Sequence, residues 1–203
     1  MPQRKPLIAG NWKMFKTGPE AEATARHLAK LVGDDATVDI MIAPPFTALA
    51  SVAGVVEATP IALGAQNLYW EAEGAFTGEI SPGMLKAAGC TYALVGHSER
   101  RQYFGESDDG VHRKTQAALE SAIIPVVCIG ETESQRDAGN TFSVLDKQIR
   151  NGLETLVSED LETLVVAYEP VWAIGTGKSA TKEQAQEVHA FLRELLGTCL
   201  LYT

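Results

Sequence analysis

The chain has 203 residues, of which 45% are hydrophobic and 21% are charged. These values are typical of one ordinary globular domain with a sizeable buried core. The net charge of −9 argues against contact with nucleic acid or with an anionic membrane, because both of these partners require a basic surface.

The segments that normally direct a chain out of the cytoplasm are not recognisable in this sequence. No run approaches eighteen consecutive apolar residues, and the start MPQRKPLIAGNWK lacks the long apolar region of a signal peptide. The three cysteines, Cys90, Cys128 and Cys199, are widely spaced, so we expect neither a disulfide framework nor a metal cluster. The sequence therefore predicts a cytoplasmic protein that binds no metal and no membrane.

Six apolar runs rich in β-branched residues recur along the chain, and each of them predicts a strand. They are PLIAGNW from Pro6, VDIMIAP from Val38, IALGAQN from Ile61, YALVGHS from Tyr92, IPVVCIGE from Ile124 and LVVAYEP from Leu164.

The stretches between these runs carry the marks of helices. Ser81 followed by Pro82 predicts a helix start, and the acidic residues after Ser107 favour another. Near the end of the chain, Thr181 and Gln184 form a capping box ahead of an apolar face over residues 188–196. Alternation of strands and helices predicts a parallel sheet, either doubly wound or closed into a barrel.

The spacing of the runs favours the barrel. They begin about 31 residues apart, and eight such units need about 250 residues, the usual length of a (β/α)8 barrel. Polar residues also follow every run, at the end of the strands where barrel active sites lie. We therefore predict a single domain over 1–203, a TIM (β/α)8-type barrel with about six of its eight βα units.

One run ends on an isolated carboxylate, in the segment LVVAYEPVWAIGTGK at 164–178. The run suits a strand that is buried on both faces, and Pro170 cannot continue it, so Glu169 is predicted at the strand's carboxyl end. A solvated strand boundary also fits this pattern. The apolar loop that follows, with Gly175 and Gly177, suits either a lid over a small ligand or an ordinary tight turn.

Two other strand ends carry groups with complementary chemistry. Asn11 and Lys13 follow the first run, and His97 follows the fourth at the start of a predicted helix, which favours a neutral imidazole. A base, a hydrogen-bond donor and a cation suit proton abstraction next to a carbonyl, with Glu169 as the base. Each residue alone is equally compatible with a solvated or packing role, and Cys128 fits a small buried hydrophobe better than a site residue.

The motifs that carry this chemistry resemble those of the triosephosphate isomerases. They are GNWKM at 10–14, GAQNLYW and GAFTGEIS within 64–81, VGHSERR at 95–101, VVCIGE at 126–131 and AYEPVWAIGTGK at 167–178. The resemblance runs from about residue 5 to 196. It implies interconversion of dihydroxyacetone phosphate and glyceraldehyde 3-phosphate through an enediolate, without a cofactor or a metal.

The resemblance also implies residue roles, which are those known of the family itself. Glu169 corresponds to the base and His97 to the neutral electrophile, while residues 170–180 correspond to the lid. Asn11 and Lys13 correspond to substrate-binding residues, and the lid's Gly175 to a contact of the phosphate.

Further residues correspond to supporting positions of the family. Glu99 corresponds to a residue that supports Lys13, and Cys128 lies in a family motif. Thr77, within a loop at 66–81, corresponds to a residue that reaches a partner subunit, which implies a homodimer.

The end of the chain departs from the family pattern. Ser179 stands where the family often has threonine, and the tail 197–203, GTCLLYT, does not resemble the family. Strands seven and eight, with their glycine-rich loops, do not follow within these 203 residues. We therefore keep open a second hypothesis, a catalytically inactive truncated fragment. A Schiff-base aldolase is a weaker alternative, because none of the six runs has a lysine in its middle.

Overall fold

The computed structural model describes residues 5–34, 37–156, 160 and 163–199. Within these ranges six strands alternate with helices, and all six predicted strands are confirmed. The strands are β1 Leu7–Asn11, β2 Asp39–Ala43, β3 Ile61–Ala65, β4 Cys90–Val95, β5 Ile124–Ile129 and β6 Val165–Tyr168.

Eight α-helices lie in the described part of the chain, with 3₁₀ turns at Phe46–Ala48 and Val171–Ala173. The helices are α1 Gly18–Val32, α2 Leu49–Val56, α3 Pro82–Ala87, α4 Ser98–Phe104, α5 Asp108–Glu120, α6 Glu133–Asp137, α7 Thr141–Gly152 and α8 Lys182–Cys199. The predicted tail at 197–203 begins inside α8, and its last four residues lie outside the described part.

The chain divides into two compact units, one of residues 1–94 with 120–124 and one of 95–119 with 125–203. In the first unit β1, β2, β3 and β4 pair as parallel neighbours in chain order. Its core includes Met41, Leu63 and Val52, all at most 2% exposed. A Cβ added at Gly64 would lie 2.6 Å from the sulfur of Met41, so the glycine leaves room for the Met41 side chain in the core.

In the second unit β5 and β6 pair in parallel, from Val126 opposite Val165 to Ile129 opposite Tyr168. Helix α8 buries Val188, Leu192 and Leu195, three residues of its predicted apolar face. Its capping box is also confirmed, because Thr181 N–H donates to Gln184 Oε1 and Gln184 N–H donates to Thr181 Oγ1.

Candidate active site

Glu169 follows β6 and lies in the second unit. Its backbone N–H donates to the carbonyl of Ile129 at 2.7 Å, which continues the β5–β6 ladder by one residue. Its carboxylate Oε1 lies 2.8 Å from His97 Nε2, and Oε2 accepts a 2.9 Å hydrogen bond from Ser98 N–H. With a side chain only 16% exposed, Glu169 does not match the solvated strand boundary.

His97 caps the N-terminus of α4, as the sequence predicted for the start of this helix. Its Nδ1 accepts a 3.2 Å hydrogen bond from Glu99 N–H, so this nitrogen presents a lone pair. The proton of the ring then lies on Nε2, which donates to Glu169. These two bonds fit a neutral imidazole whose N–H points at the carboxylate. The Glu99 carboxylate lies farther away, at 3.7 Å from Nδ1.

A buried ion cluster holds the turn that carries His97. The Glu106 side chain is 3% exposed and accepts a hydrogen bond from Gly96 N–H at 3.0 Å. Arg100 Nε contacts the same carboxylate at 2.6 Å, and the buried Lys114 ammonium lies 3.2 Å from it. Because Gly96 has a positive φ of 72° immediately before His97, this cluster fixes the backbone from which the imidazole projects.

Removal of the Glu106 charge is expected to destabilise the fold in a pH-dependent way. Burial alone would raise the pKa of Glu106, but Lys114, Arg100 and the Gly96 N–H together hold this pKa below its ordinary value. The stabilisation is therefore present above the unfolded-state pKa and is lost as the pH falls through the lower folded-state pKa. Glu106→Gln should cost about 3 kcal/mol at neutral pH, because Lys114 keeps its charge in a buried position.

Urea unfolding of the chain and of Glu106→Gln, measured from neutral pH to well below the ordinary glutamate pKa of 4.5, checks this prediction. The difference in unfolding free energy should stay constant down to about that pH and shrink below it. A difference that stays constant over the whole acidic range would contradict it. Glu57→Gln, at an exposed position, serves as the matched control.

A second buried carboxylate anchors the start of the lid segment. Glu131, fully buried, follows β5 and accepts hydrogen bonds from Tyr168 O–H at 3.0 Å and Trp172 Nε1–H at 3.1 Å. Arg136 and Thr141 also donate to it, at 2.9 and 3.4 Å. Burial, followed by the charge of Glu131, raises the pKa of Tyr168 to about 12. One carboxylate therefore links the end of β6 to the first turn of the lid.

The remainder of the lid segment, residues 173–180, has contacts of a different kind. The Thr176 hydroxyl donates to the carbonyl of Trp172 at 3.0 Å, and Gly175 and Gly177 have positive φ angles of 72° and 77°. Lys178 forms an exposed ion pair with Glu133 at the start of α6. Exposed polar contacts hold residues 173–180, whereas hydrogen bonds to the buried Glu131 hold the beginning of the lid segment.

Asn11 and Lys13 lie in the first unit. The strand β1 ends at Asn11, and Lys13 adopts a left-handed turn with φ 51°, so strand alternation does not set its direction. Asn11 Oδ1 accepts from Lys13 N–H at 2.8 Å, and Gln66 Nε2 donates to the carbonyl of Lys13 at 2.8 Å. These two hydrogen bonds thus fix a turn that most residues avoid.

The other predicted residues differ in their exposure. Thr77 is exposed in the loop 66–81, where Tyr69 stacks against Trp70 and Phe76 with ring centroids 4.2 and 4.8 Å apart. Cys128 is 3% exposed, and burial, followed by the nearby Glu169 charge, raises the pKa of its thiol well above the ordinary value. This thiol is protonated at neutral pH and fills space in the core.

Several contacts of the site have no signal in the sequence. The Ser98 N–H that binds Glu169, and the four donors around Glu131, come from residues between 5 and 71 positions away. Gln66 and Glu131 stand out only as polar residues after a strand. Within the described residues no group of three His, Cys, Asp or Glu side chains is arranged for a metal ion, and no helix is long and apolar enough to cross a membrane.

Comparison with known proteins identifies the family. The family model for triosephosphate isomerase matches residues 6–200. The triosephosphate isomerase of Citrifermentans bemidjiense is 54% identical over 193 residues, which are 95% of this chain and 77% of that protein. That of Geobacter metallireducens is 55% identical over 194 residues, 96% of this chain and 77% of the relative.

A solved structure agrees with these sequence matches. The crystal structure of triosephosphate isomerase from Bartonella henselae matches with a TM-score of 0.86 and 34% identity, over 97% of this chain and 77% of that one. The predicted fold class is confirmed: a TIM (β/α)8-type barrel, with six parallel strands among the described residues. Since the family model covers nearly the whole chain and relatives share about half of its residues, the chain belongs to the triosephosphate isomerase family.

Proposed function

We propose that Glu169 is the base with which this chain carries out the reaction of its family, the interconversion of dihydroxyacetone phosphate and glyceraldehyde 3-phosphate. One observation carries the proposal: the largely buried Glu169 carboxylate lies 2.8 Å from the Nε2 of His97, whose Nδ1 accepts a hydrogen bond from Glu99 N–H. A base and a hydrogen-bond donor at this distance can face adjacent atoms of one small substrate.

The reaction follows from these two groups. The substrate takes the place of the bond between Glu169 and His97, with its C–H toward the carboxylate and its carbonyl oxygen toward Nε2. Glu169 removes the carbon-bound proton while the Nε2–H of His97 stabilises the oxygen of the resulting enediolate. A proton then passes from the neighbouring hydroxyl oxygen to the former carbonyl oxygen by way of His97 Nε2, and return of the first proton to the neighbouring carbon gives the isomer. The partial burial of Glu169 limits the water that could compete with the substrate for its carboxylate.

Substrate binding is assigned to residues with suitable charge and hydrogen-bond donors. The substrate carries a phosphate, and the net charge of −9 repels it, so a local cation is needed. We assign this charge to Lys13 with Asn11 beside it, and we assign Glu99 the supporting role that the family resemblance implies. Gly175 N–H binds the phosphate when the lid segment closes. The backbone turn at Lys13 is held by Asn11 and Gln66, which fixes the point from which the Lys13 side chain projects.

We further propose that the loop 66–81 forms a homodimer contact through Thr77. This loop is held by its own stacked aromatic rings, yet Thr77 is exposed and Phe76 is 40% exposed. A rigid loop that presents apolar and polar groups suits burial against a second subunit. Light scattering on the purified chain tests this, and a monomer mass would contradict it. A cytoplasmic location is part of the same proposal.

The direct test of the function is an isomerase assay in D₂O. Dihydroxyacetone phosphate should be converted to glyceraldehyde 3-phosphate with deuterium at the carbon that receives the proton, because the proton on Glu169 exchanges with solvent. The same chain, shown to be folded by circular dichroism, should catalyse the reverse reaction. A folded chain that gives neither isomerisation nor deuterium incorporation would overturn the proposal and favour an inactive fragment.

A further inference from the structure

Gly130, which follows β5, contacts the backbone of Glu169 directly. A Cβ added at Gly130 would lie 1.8 Å from the Glu169 carbonyl oxygen, 2.9 Å from its carbonyl carbon and 3.1 Å from Val171. No side chain fits at these distances, so Glu169 packs against the bare Cα of Gly130. The neighbouring Ile129 carbonyl accepts the hydrogen bond of Glu169 N–H. The position of Gly130 therefore sets the position of the base.

Gly130 is held from its other side by one side chain of α7. Gln148 Oε1 accepts from Gly130 N–H at 2.9 Å, and Gln148 Nε2 donates to the Gly130 carbonyl at 3.1 Å. The donor and the acceptor of this amide thus bind the two backbone groups of one residue, as a neighbouring strand would. The Gln148 amide satisfies both hydrogen bonds in only one orientation. The two bonds therefore fix the orientation of the Gly130 backbone as well as its distance from α7.

We propose that Gln148 is a positioning residue for the base Glu169, acting through Gly130; the inference rests on the proposed function of Glu169. Gln148 fixes the Gly130 peptide, Gly130 fixes the Glu169 backbone, and the carboxylate then meets His97 and Ser98 at 2.8 and 2.9 Å. Gln148 itself touches no reacting atom.

The space around Gln148 allows a positioning role of this residue to be distinguished from a purely stabilising one. A cavity of about 530 Å³ is lined by Gly130, Gln148 and Glu169, among others. When the amide is removed, water in this space can satisfy the Gly130 N–H and carbonyl. The fold then loses little, while Gly130 and the base gain freedom to move.

Gln148→Met is the test variant, because methionine keeps the length and the helix propensity of glutamine and loses both hydrogen bonds. Gln148→Glu keeps an acceptor for Gly130 N–H and loses the donor. Gln186→Met, at an exposed position of α8, is the matched control. Two measurements are made on each: NMR signals of the Ser98 amide and the His97 imidazole, and steady-state isomerase kinetics.

For Gln148→Met the Ser98 amide signal should shift upfield and exchange faster with solvent, and the His97 Nε2 signal should also move. The rate constant kcat should fall roughly tenfold, since small misplacements of a catalytic group are costly, while KM stays within about twofold. Gln148→Glu should show smaller changes of the same sign, and Gln186→Met none.

The outcomes separate this inference from the proposed function. If the unmodified chain has no isomerase activity, the proposed function fails, and the two NMR signals still decide whether Gln148 positions Glu169. Ser98 and His97 signals that stay at their original positions in folded Gln148→Met would overturn the inference. If that variant does not fold, unchanged signals in Gln148→Glu would overturn it in the same way.

Discussion

Replacement of Glu169 by glutamine is expected to lower kcat of the isomerase reaction by about 10³-fold, because an amide cannot accept the carbon-bound proton. The variant keeps the size of the side chain, but its single Oε1 can accept from Ser98 N–H or from His97 Nε2–H, not from both. The fold should therefore lose about 1 kcal/mol, the value of one hydrogen bond, and substrate affinity should change little. The loss should appear in kcat, since the carboxylate acts on the proton only as the transition state forms.

A second substitution tests the position of the carboxylate at residue 169 rather than its chemical identity. Glu169→Asp keeps the carboxylate but withdraws it by about one bond, and displacements near 1 Å cost about 10²-fold. Glu187→Gln, at an exposed site on α8, should leave kcat unchanged. The coupled isomerase assay and deuterium exchange in D₂O measure these effects. Equal kcat values for Glu169→Gln and the unmodified chain would show that Glu169 is not the base.

The strands of this protein can be predicted from its sequence because their signal is local. Buried parallel strands need short continuous apolar runs, and each of the six runs became a strand with bounds shifted by one or a few residues. The capping box at Thr181 and the N-cap at Ser81 were equally local, and both appear as hydrogen bonds. The candidate site residues Glu169 and His97 are predicted from the sequence because polar residues follow these runs.

The contacts that hold these groups could not be predicted, because they join residues distant in sequence. Gln148 lies 18 positions from Gly130, on a helix where many polar residues face solvent. In the sequence, Glu106 resembles any acidic residue before a helix. Only the folded structure shows that Lys114 and Arg100 contact its carboxylate. For Lys13 the local pattern gives no side-chain direction, since the strand ends two residues earlier and a left-handed turn follows. Tertiary contacts with Gln66 determine that turn.

Removal of the buried carboxylate of Glu131 should have the largest effect on stability. Glu131→Ala leaves the Tyr168 hydroxyl, the Trp172 indole N–H and the Arg136 guanidinium without their shared acceptor. Loss of one partner from such a buried charged group costs about 3–5 kcal/mol. Glu131→Gln keeps one acceptor oxygen and should cost roughly 1–3 kcal/mol, the range for a buried group left unsatisfied.

The lid should respond to the same change. Trp172 belongs to the first turn of the lid segment, and its indole hydrogen bond to Glu131 is one of the few buried polar contacts of that segment. Without it the lid starts from a less fixed position, so KM should rise together with a fall in kcat. This pattern differs from that of Glu169→Gln, in which only kcat falls.

Two independent measurements check the Glu131 prediction. Urea unfolding gives the free energy directly, with Glu187→Ala as the control for an exposed glutamate on α8. Ultraviolet titration of tyrosine follows Tyr168, whose pKa of about 12 should fall toward its ordinary value of 10.0 when the Glu131 charge is removed, with the part due to burial remaining. If Glu131→Ala unfolds at the same urea concentration as Glu187→Ala and the titration of Tyr168 is unchanged, the buried carboxylate does not anchor the lid.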